Sequence, residues 1–305
     1  MKVVAALPPS PNLPAQEMQL KAVMQGHDVH VVSDADGLRQ NIGDAEILLV
    51  SAFHPVSAEM MRSAKGLKFI QVPGVGVDHV DVEAVREAGV TLCNVSGANN
   101  QSVAEHVVMS ALAMVRGLVD AHNGMVAGGW PLPRWMAQAR DIGGMTFGIL
   151  GMGRIGREVA KRLLPFGDAL GATQVELDDL LAASDFITLH LPLAPGTRHL
   201  LNRERLSKMK QGAFLINTSR AEIVDEAALL DALKDHLGGA ALDVFSIEPL
   251  QADSPLRKAP RVLLTPHGAG VTIDAQNRIS MGAVQNLLRY LDRRPLADVI
   301  VPGTR

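Results

Sequence analysis

The sequence predicts an α/β protein of two domains, each built on a parallel sheet. Three observations predict it. Short apolar, β-rich runs alternate with amphipathic stretches, and this series occurs twice. A strand pattern, a glycine-rich turn and a helical pattern follow one another around 147–156. The length, 305 residues, suits two domains of ordinary size.

The elements follow in chain order. Strands are expected over 3–7, 28–32, 47–51, 68–72 and 91–94, with helical patterns such as 16–25 and 57–63 among them. Short apolar strands separated by helices imply a sheet with both faces covered. A long helical stretch over 102–126 carries the chain onward. The second series has strands over 146–150, 186–190, 213–217, 239–244 and 262–265, and a helix over 274–292 closes the pattern.

Composition narrows the function. Hydrophobic residues make up 47% of the chain, yet no apolar run reaches the ~18 residues that a spanning helix needs. The first seven residues are apolar, but Pro8, Pro9, Pro11 and Pro14 follow. They read as a buried strand entering a proline-rich loop, not as a signal peptide. Net charge is −3 with no basic cluster, so neither nucleic acid nor a membrane is expected as partner. The one cysteine, Cys93, lies in an apolar run and reads as a buried strand residue. A reducing, cytoplasmic setting is expected. No metal site is expected.

Residues 151–156 are a G-x-G-x-x-G turn after a strand. Gly151 allows the tight turn, Gly153 lets backbone approach a pyrophosphate, and Gly156 permits close helix–strand packing. The helix N-terminus from about Arg154 offers free N–H groups to phosphates. The matching acidic residue, about 20 positions on, is harder to find. Asp178 and Asp179 read as a solvated helix face. Glu176, after a short strand expected over 172–175, is the remaining candidate.

Three strand ends carry polar residues: Arg220 after one, Glu248 after another and His267 after a third. Ligands of open α/β sheets bind beyond the carboxyl ends of the strands. A guanidinium can clamp a carboxylate, and an imidazole can exchange a proton with a carbonyl or hydroxyl oxygen. Singly, each has an ordinary reading: a surface ion pair, an exposed loop carboxylate, a satisfied loop histidine.

The motifs at 71–81 (QVPGVGVDHVD), 94–106 (NVSGANNQSVAEH), 148–156 (GILGMGRIG), 184–193 (SDFITLHLPL), 217–228 (NTSRAEIVDEAA), 240–250 (AALDVFSIEPL) and 264–272 (LTPHGAGVT) occur in order along nearly the whole chain. In them the sequence resembles the D-isomer-specific 2-hydroxyacid dehydrogenase family. The resemblance implies a Rossmann-type nucleotide-binding domain over 97–272, and a flavodoxin-like substrate domain over 1–96 and 273–305. It implies NAD or NADP as cofactor and a small 2-keto or 2-hydroxy acid as substrate. It also implies a homodimer formed through the nucleotide domain and the helix after the VAEH motif.

Site residues follow from the same resemblance. Arg220 matches the arginine that binds the substrate carboxylate and keto oxygen. His267 matches the general acid/base, and Glu248 the carboxylate that orients it. Val75 and Gly76 match backbone groups that help hold the substrate carboxylate. Gly151, Gly153, Arg154, Ile155 and Gly156 belong to the pyrophosphate turn. Asp243 matches the aspartate near the nicotinamide carboxamide, and Thr218 lies at the strand end lining the nicotinamide. His190 and Pro192 match the segment under the adenosine. Phe53 and His54 are expected near the substrate pocket. Trp130 and Trp135 either cover the cleft or pack in an interface.

The sequence departs from the family pattern once. Between Gly167 and Leu170, roughly 20 to 25 residues are absent, about a strand and a short connection. Either a stretch is left out of the chain or the deletion is genuine and alters the adenosine end of the site. The expected activity is reduction of a 2-keto acid to a D-2-hydroxy acid. Within the family the alternatives are glyoxylate or hydroxypyruvate reduction, 3-phosphoglycerate oxidation and phosphite oxidation. Outside enzymology the alternative is a nucleotide-sensing scaffold without turnover.

Overall fold

The computed structural model describes residues 1–9, 13–167 and 173–304. The chain divides into two units, Met1–Asn99 with Ile273–Arg305, and Asn100–Thr272. The strands in chain order are β1 (Lys2–Ala6), β2 (Asp28–Val32), β3 (Ile47–Val50), β4 (Phe69–Gln71), β5 (Thr91–Cys93), β6 (Phe147–Leu150), β7 (Phe186–Leu189), β8 (Phe214–Asn217), β9 (Gly239–Leu242), β10 (Val262–Leu264) and β11 (Val299–Val301).

The first unit holds a six-stranded sheet in the order β11-β5-β4-β3-β1-β2. Its apolar runs are continuous because both faces are covered. Alternate residues serve opposite faces: Val4, Leu48, Ile70 and Leu92 pack on one side, and Val3, Ile47, Phe69 and Cys93 on the other. Cys93 is thus a core residue, and burial pushes its thiol up to about 12. The helix Ile273–Leu291 covers the second face, where Tyr290 stacks on Phe69 at 4.6 Å between ring centres. β11 runs antiparallel to β5. The expectation of a parallel sheet missed this strand, because three residues near the chain end carry too little pattern to read.

The second unit holds a five-stranded parallel sheet in the order β10-β9-β8-β7-β6. Phe147, Phe186 and Phe214 stack across three neighbouring strands at 4.7 and 4.9 Å. The helix Asn100–Val115 lays Ala104, Val107 and Ala111 on that face. The helix expected over 102–126 is in fact two. Gly117 adopts a left-handed φ of 58° between Asn100–Val115 and Leu118–Val126, which meet at a 63° bend. No single helix among the described residues is long and apolar enough to cross a membrane.

Among the described residues β6 pairs with β7 alone and so forms an edge of its sheet. The shortening expected near Gly167–Leu170 falls on residues 168–170, which lie outside the described residues. The part of the expected 172–175 strand that is described, 173–175, is irregular. Glu176 instead precedes the helix Leu177–Ala183 as its N-cap. Asp178 sits on that helix's solvent side and pairs with Lys208 at 2.7 Å.

Candidate active site

The register of the second sheet aligns the functional strand ends. Leu150, Leu189, Asn217, Leu242 and Leu264 pair in one row across the five strands. The next residue on each strand is Gly151, His190, Thr218, Asp243 or Thr265. Four of the expected site residues, Gly151, His190, Thr218 and Asp243, therefore emerge together with Thr265 at one level, the carboxyl edge, where this fold class binds ligands.

At the β6 end, Gly151 has φ 102°, and a Cβ there would meet the His190 carbonyl oxygen at 2.5 Å. A Cβ on Gly156 would overlap the carbonyl oxygen of Gly151. These glycines are required by close backbone approach. Gly153 differs: a Cβ there would meet no atom within 4 Å. It opens the helix Arg154–Leu163 as N-cap, with the helix's first amides beside it. Arg154 is exposed on the first turn, and Ile155 packs into the core. The turn thus combines a backbone cradle, open space at its middle glycine and a positive helix end, the features a dinucleotide pyrophosphate needs.

Further along the row, His190 is half-buried and places Nε2 3.0 Å from Thr188 Oγ1. Burial pushes its imidazole down to about 4, so the ring is neutral at physiological pH. Pro192 lies exposed just beyond, its carbonyl accepting from Thr197 Oγ1. Thr218 Oγ1 is buried without a hydrogen-bond partner. A buried hydroxyl left unsatisfied at a ligand-binding edge fits a polar group supplied by the cofactor.

Glu248 and His267 come together. His267 Nδ1 lies 2.7 Å from Glu248 Oε2. The Phe245 amide donates to the other oxygen, Glu248 Oε1, at 2.9 Å. The carboxylate is therefore gripped from two sides. An ionised carboxylate only accepts, so Nδ1 carries the proton of this contact and Nε2 is the ring nitrogen outside it. His267 itself sits at a left-handed φ of 52°.

Arg220 follows β8, with Nη1 donating to the Ser219 carbonyl at 2.7 Å and its own carbonyl accepting from Asn217 Nδ2 at 2.9 Å. Asp243 is 1% exposed. Its Oδ1 accepts from Thr265 Oγ1 at 2.6 Å and from the Gly268 amide at 2.8 Å, and its Oδ2 from the Ala269 amide at 2.9 Å. Three of the roughly four acceptor positions of a carboxylate are thus filled by the His267 loop. The Phe245 amide and the Thr265 hydroxyl were not among the expected site residues. Thr265 stands inside the 264–272 motif, but its role depends on a tertiary contact that no spacing reveals.

In the first unit, Val75 and Gly76 are half-buried in the loop after β4. Asn94 Nδ2 donates to the Val75 carbonyl at 2.6 Å, and the Val95 amide to the Gly74 carbonyl at 2.8 Å. The loop is pinned by its carbonyls, which suits a loop whose amides serve a ligand. His54 is buried against Ser51 at 3.0 Å, whereas Phe53 is 76% exposed.

Comparison with known proteins agrees with this geometry. Residues 108–269 match the model of the D-isomer specific 2-hydroxyacid dehydrogenase, NAD binding domain. Formate dehydrogenase of Arabidopsis thaliana is 37% identical over 290 residues, covering 87% of this chain and 76% of the relative. Glyoxylate reductase of Thermofilum pendens is 38% identical over 273 residues, covering 83% of this chain and 80% of the relative. A Staphylococcus aureus NAD-dependent formate dehydrogenase, solved in complex with NAD, superposes with a TM-score of 0.90 at 34% identity, covering 99% of this chain and 100% of that one. The row of strand ends, the glycine cradle and these matches agree: the chain belongs to the D-isomer specific 2-hydroxyacid dehydrogenase family and is an NAD-dependent oxidoreductase.

Proposed function

We propose that the protein reduces a small 2-keto acid to the D-2-hydroxy acid, with His267 as acid, Glu248 as its orienting carboxylate and Arg220 as the substrate clamp. One observation carries the choice of substrate, the 2.7 Å contact between Glu248 and His267. Relatives of both kinds exist, formate dehydrogenases and a glyoxylate reductase. Their reactions make different demands. Formate oxidised to carbon dioxide loses hydride from carbon, and no oxygen gains or loses a proton. A keto acid reduced to an alcohol needs a proton at the new hydroxyl. A histidine held by a carboxylate has work to do only in the second case.

Bound NADH supplies the hydride to the keto carbon. His267 Nε2 gives its proton to the carbonyl oxygen as charge develops there. Glu248 keeps the ring in one orientation and stabilises the imidazolium that donates. The planar Arg220 guanidinium pairs with the substrate carboxylate and presents the keto group in a fixed pose. In the reverse direction His267 takes the hydroxyl proton.

The same reading includes a homodimer. On the second unit, Met109, Leu118, Val126, Trp130 and Met136 are exposed. Met109, Leu112, Arg116, Leu118 and Trp135 line a groove of about 460 Å³. Apolar patches of this kind mark interaction surfaces. Light scattering of the purified protein checks this part.

The decisive test is a panel of glyoxylate, hydroxypyruvate and pyruvate with NADH and with NADPH, run beside formate with NAD. Turnover on keto acids is expected. Formate oxidation without any keto-acid turnover would overturn the reading.

A further inference from the structure

Two side chains outside the catalytic set bear on the loop that carries His267. The loop needs support. A left-handed backbone at a non-glycine residue is disfavoured by contact of Cβ with the carbonyl oxygen, so it persists only where neighbours impose it. At His267, with φ 52°, the neighbours can be named. On its N-terminal side, the His267 amide donates to the Thr265 carbonyl at 3.0 Å. On its C-terminal side, the amides of Gly268 and Ala269 both donate to the Asp243 carboxylate, at 2.8 and 2.9 Å.

Asp243 can hold those amides only if its carboxylate is fixed. The Thr265 hydroxyl fixes it, donating to Oδ1 at 2.6 Å. A hydroxyl has one proton, and here the proton is spent on Asp243. Its remaining partner, His106 Nε2 at 3.2 Å, must then be the donor of that contact. His106 comes from the helix Asn100–Val115, which packs on the sheet through Ala104 and Val107. The chain of bonds runs one way: His106 N–H to Thr265 O–H to Asp243, with Asp243 receiving the two loop amides. Burial lowers the His106 pKa, with the nearby Asp243 charge opposing it; the direction of the Thr265 contact is what puts a proton on Nε2.

We propose that His106 and Thr265 are positioning residues for the catalytic histidine: through Asp243 they lock the backbone of His267 in the conformation that presents its imidazole to Glu248 and to substrate. Neither residue needs to touch the substrate. The inference rests on His267 being the acid/base of the proposed reaction.

The test is steady-state kinetics of NADH-dependent 2-keto acid reduction. Thr265→Val should lower kcat by about 10-fold or more, as expected for misplacement of a catalytic group. KM for the keto acid and for NADH should each stay within about 2-fold. Thr265→Ser, which keeps the hydroxyl, should recover most of kcat. His106→Leu should cost more than His106→Gln, which retains an N–H donor. The decisive measurement is the double mutant. If Thr265 acts through His267, Thr265→Val changes kcat by less than about 2-fold in the His267→Ala background. An equal loss in both backgrounds overturns the proposal, because a general structural role would persist without the imidazole. A Thr265→Val effect confined to KM for NADH also overturns it, assigning the network to cofactor binding instead. If Thr265→Val does not fold, the His106→Leu and His106→Gln pair is carried into the His267→Ala background in its place. Failure of the underlying reading looks different: His267→Ala itself would keep its kcat.

Discussion

The Glu248 carboxylate spans two partners, with Oε2 at 2.7 Å from His267 Nδ1 and Oε1 at 2.9 Å from the Phe245 amide. The ring therefore has one tautomer and one orientation before any ligand arrives. His267→Ala is expected to lower kcat for keto-acid reduction by at least about 100-fold, the ordinary scale of a general acid/base. Glu248→Gln should cost less, because its amide oxygen can still accept from Nδ1 but no longer balances the imidazolium charge. Comparing kcat for the two variants checks the order; a His267→Ala enzyme with near-normal kcat removes the histidine from the chemistry.

Arg220→Lys separates geometry from charge. The positive charge survives, but a lysine cannot reproduce the planar fork that grips a carboxylate at two points. KM for the keto acid should rise by roughly 10-fold or more, in line with the loss of one charge-assisted hydrogen bond. KM for NADH should stay put. A substrate KM unchanged in this variant would place the carboxylate elsewhere.

The glycine turn makes a prediction with an internal control. Gly156→Ala forces a Cβ into the Gly151 carbonyl oxygen, so both folding stability and NADH affinity should fall. Gly153→Ala puts its methyl where no protein atom lies within 4 Å. The thermal midpoint should hardly move, whereas NADH binding should weaken, because the methyl occupies the approach of the pyrophosphate. Fluorescence titration with NADH, alongside thermal unfolding, distinguishes the two. Unaltered NADH binding by Gly153→Ala would put the phosphates somewhere else.

His190 gives the fold a pH dependence with a definite sign. Burial depresses its pKa to about 4, against about 6.5 for an unfolded histidine. Between those values the unfolded chain binds the extra proton, so stability rises with pH. The contribution is fully present above pH ~6.5 and is lost as pH falls toward 4. From pH 7 to pH 5 the linked loss is about 2 kcal/mol. Urea unfolding of wild type and His190→Asn at both pH values should show a smaller acid loss in the variant. Equal losses would mean that this ring does not stay neutral in the fold.

How much of this was legible in the sequence varied with how local the signal is. Runs such as Ile47–Val50 announce a strand covered on both faces because every residue is apolar, and all four are buried. Glu248 and His267 stood out only within ordered motifs, since a lone loop carboxylate or histidine has a commonplace reading. The 63° bend at Gly117 was missed because apolar periodicity continues through it, and one glycine in a helical pattern is ordinarily tolerated. The antiparallel β11 was missed because a strand of three residues has no period. The His106–Thr265–Asp243 chain was invisible for a different reason. Its partners lie 159 and 22 positions apart; sheet register joins Thr265 to Asp243, and packing of the helix Asn100–Val115 on the sheet brings in His106.

The same register has a bearing on what must happen when substrate arrives. Glu248 departs from the end of β9 and His267 from the end of β10, and these strands are bonded neighbours with Leu242 paired to Leu264. The imidazole and the carboxylate it contacts therefore leave from adjacent strands of one sheet. Ligand binding need not bring them together, since they already meet in this structure. What substrate has left to set is its own access and alignment, because the imidazole and the carboxylate are already in contact at 2.7 Å.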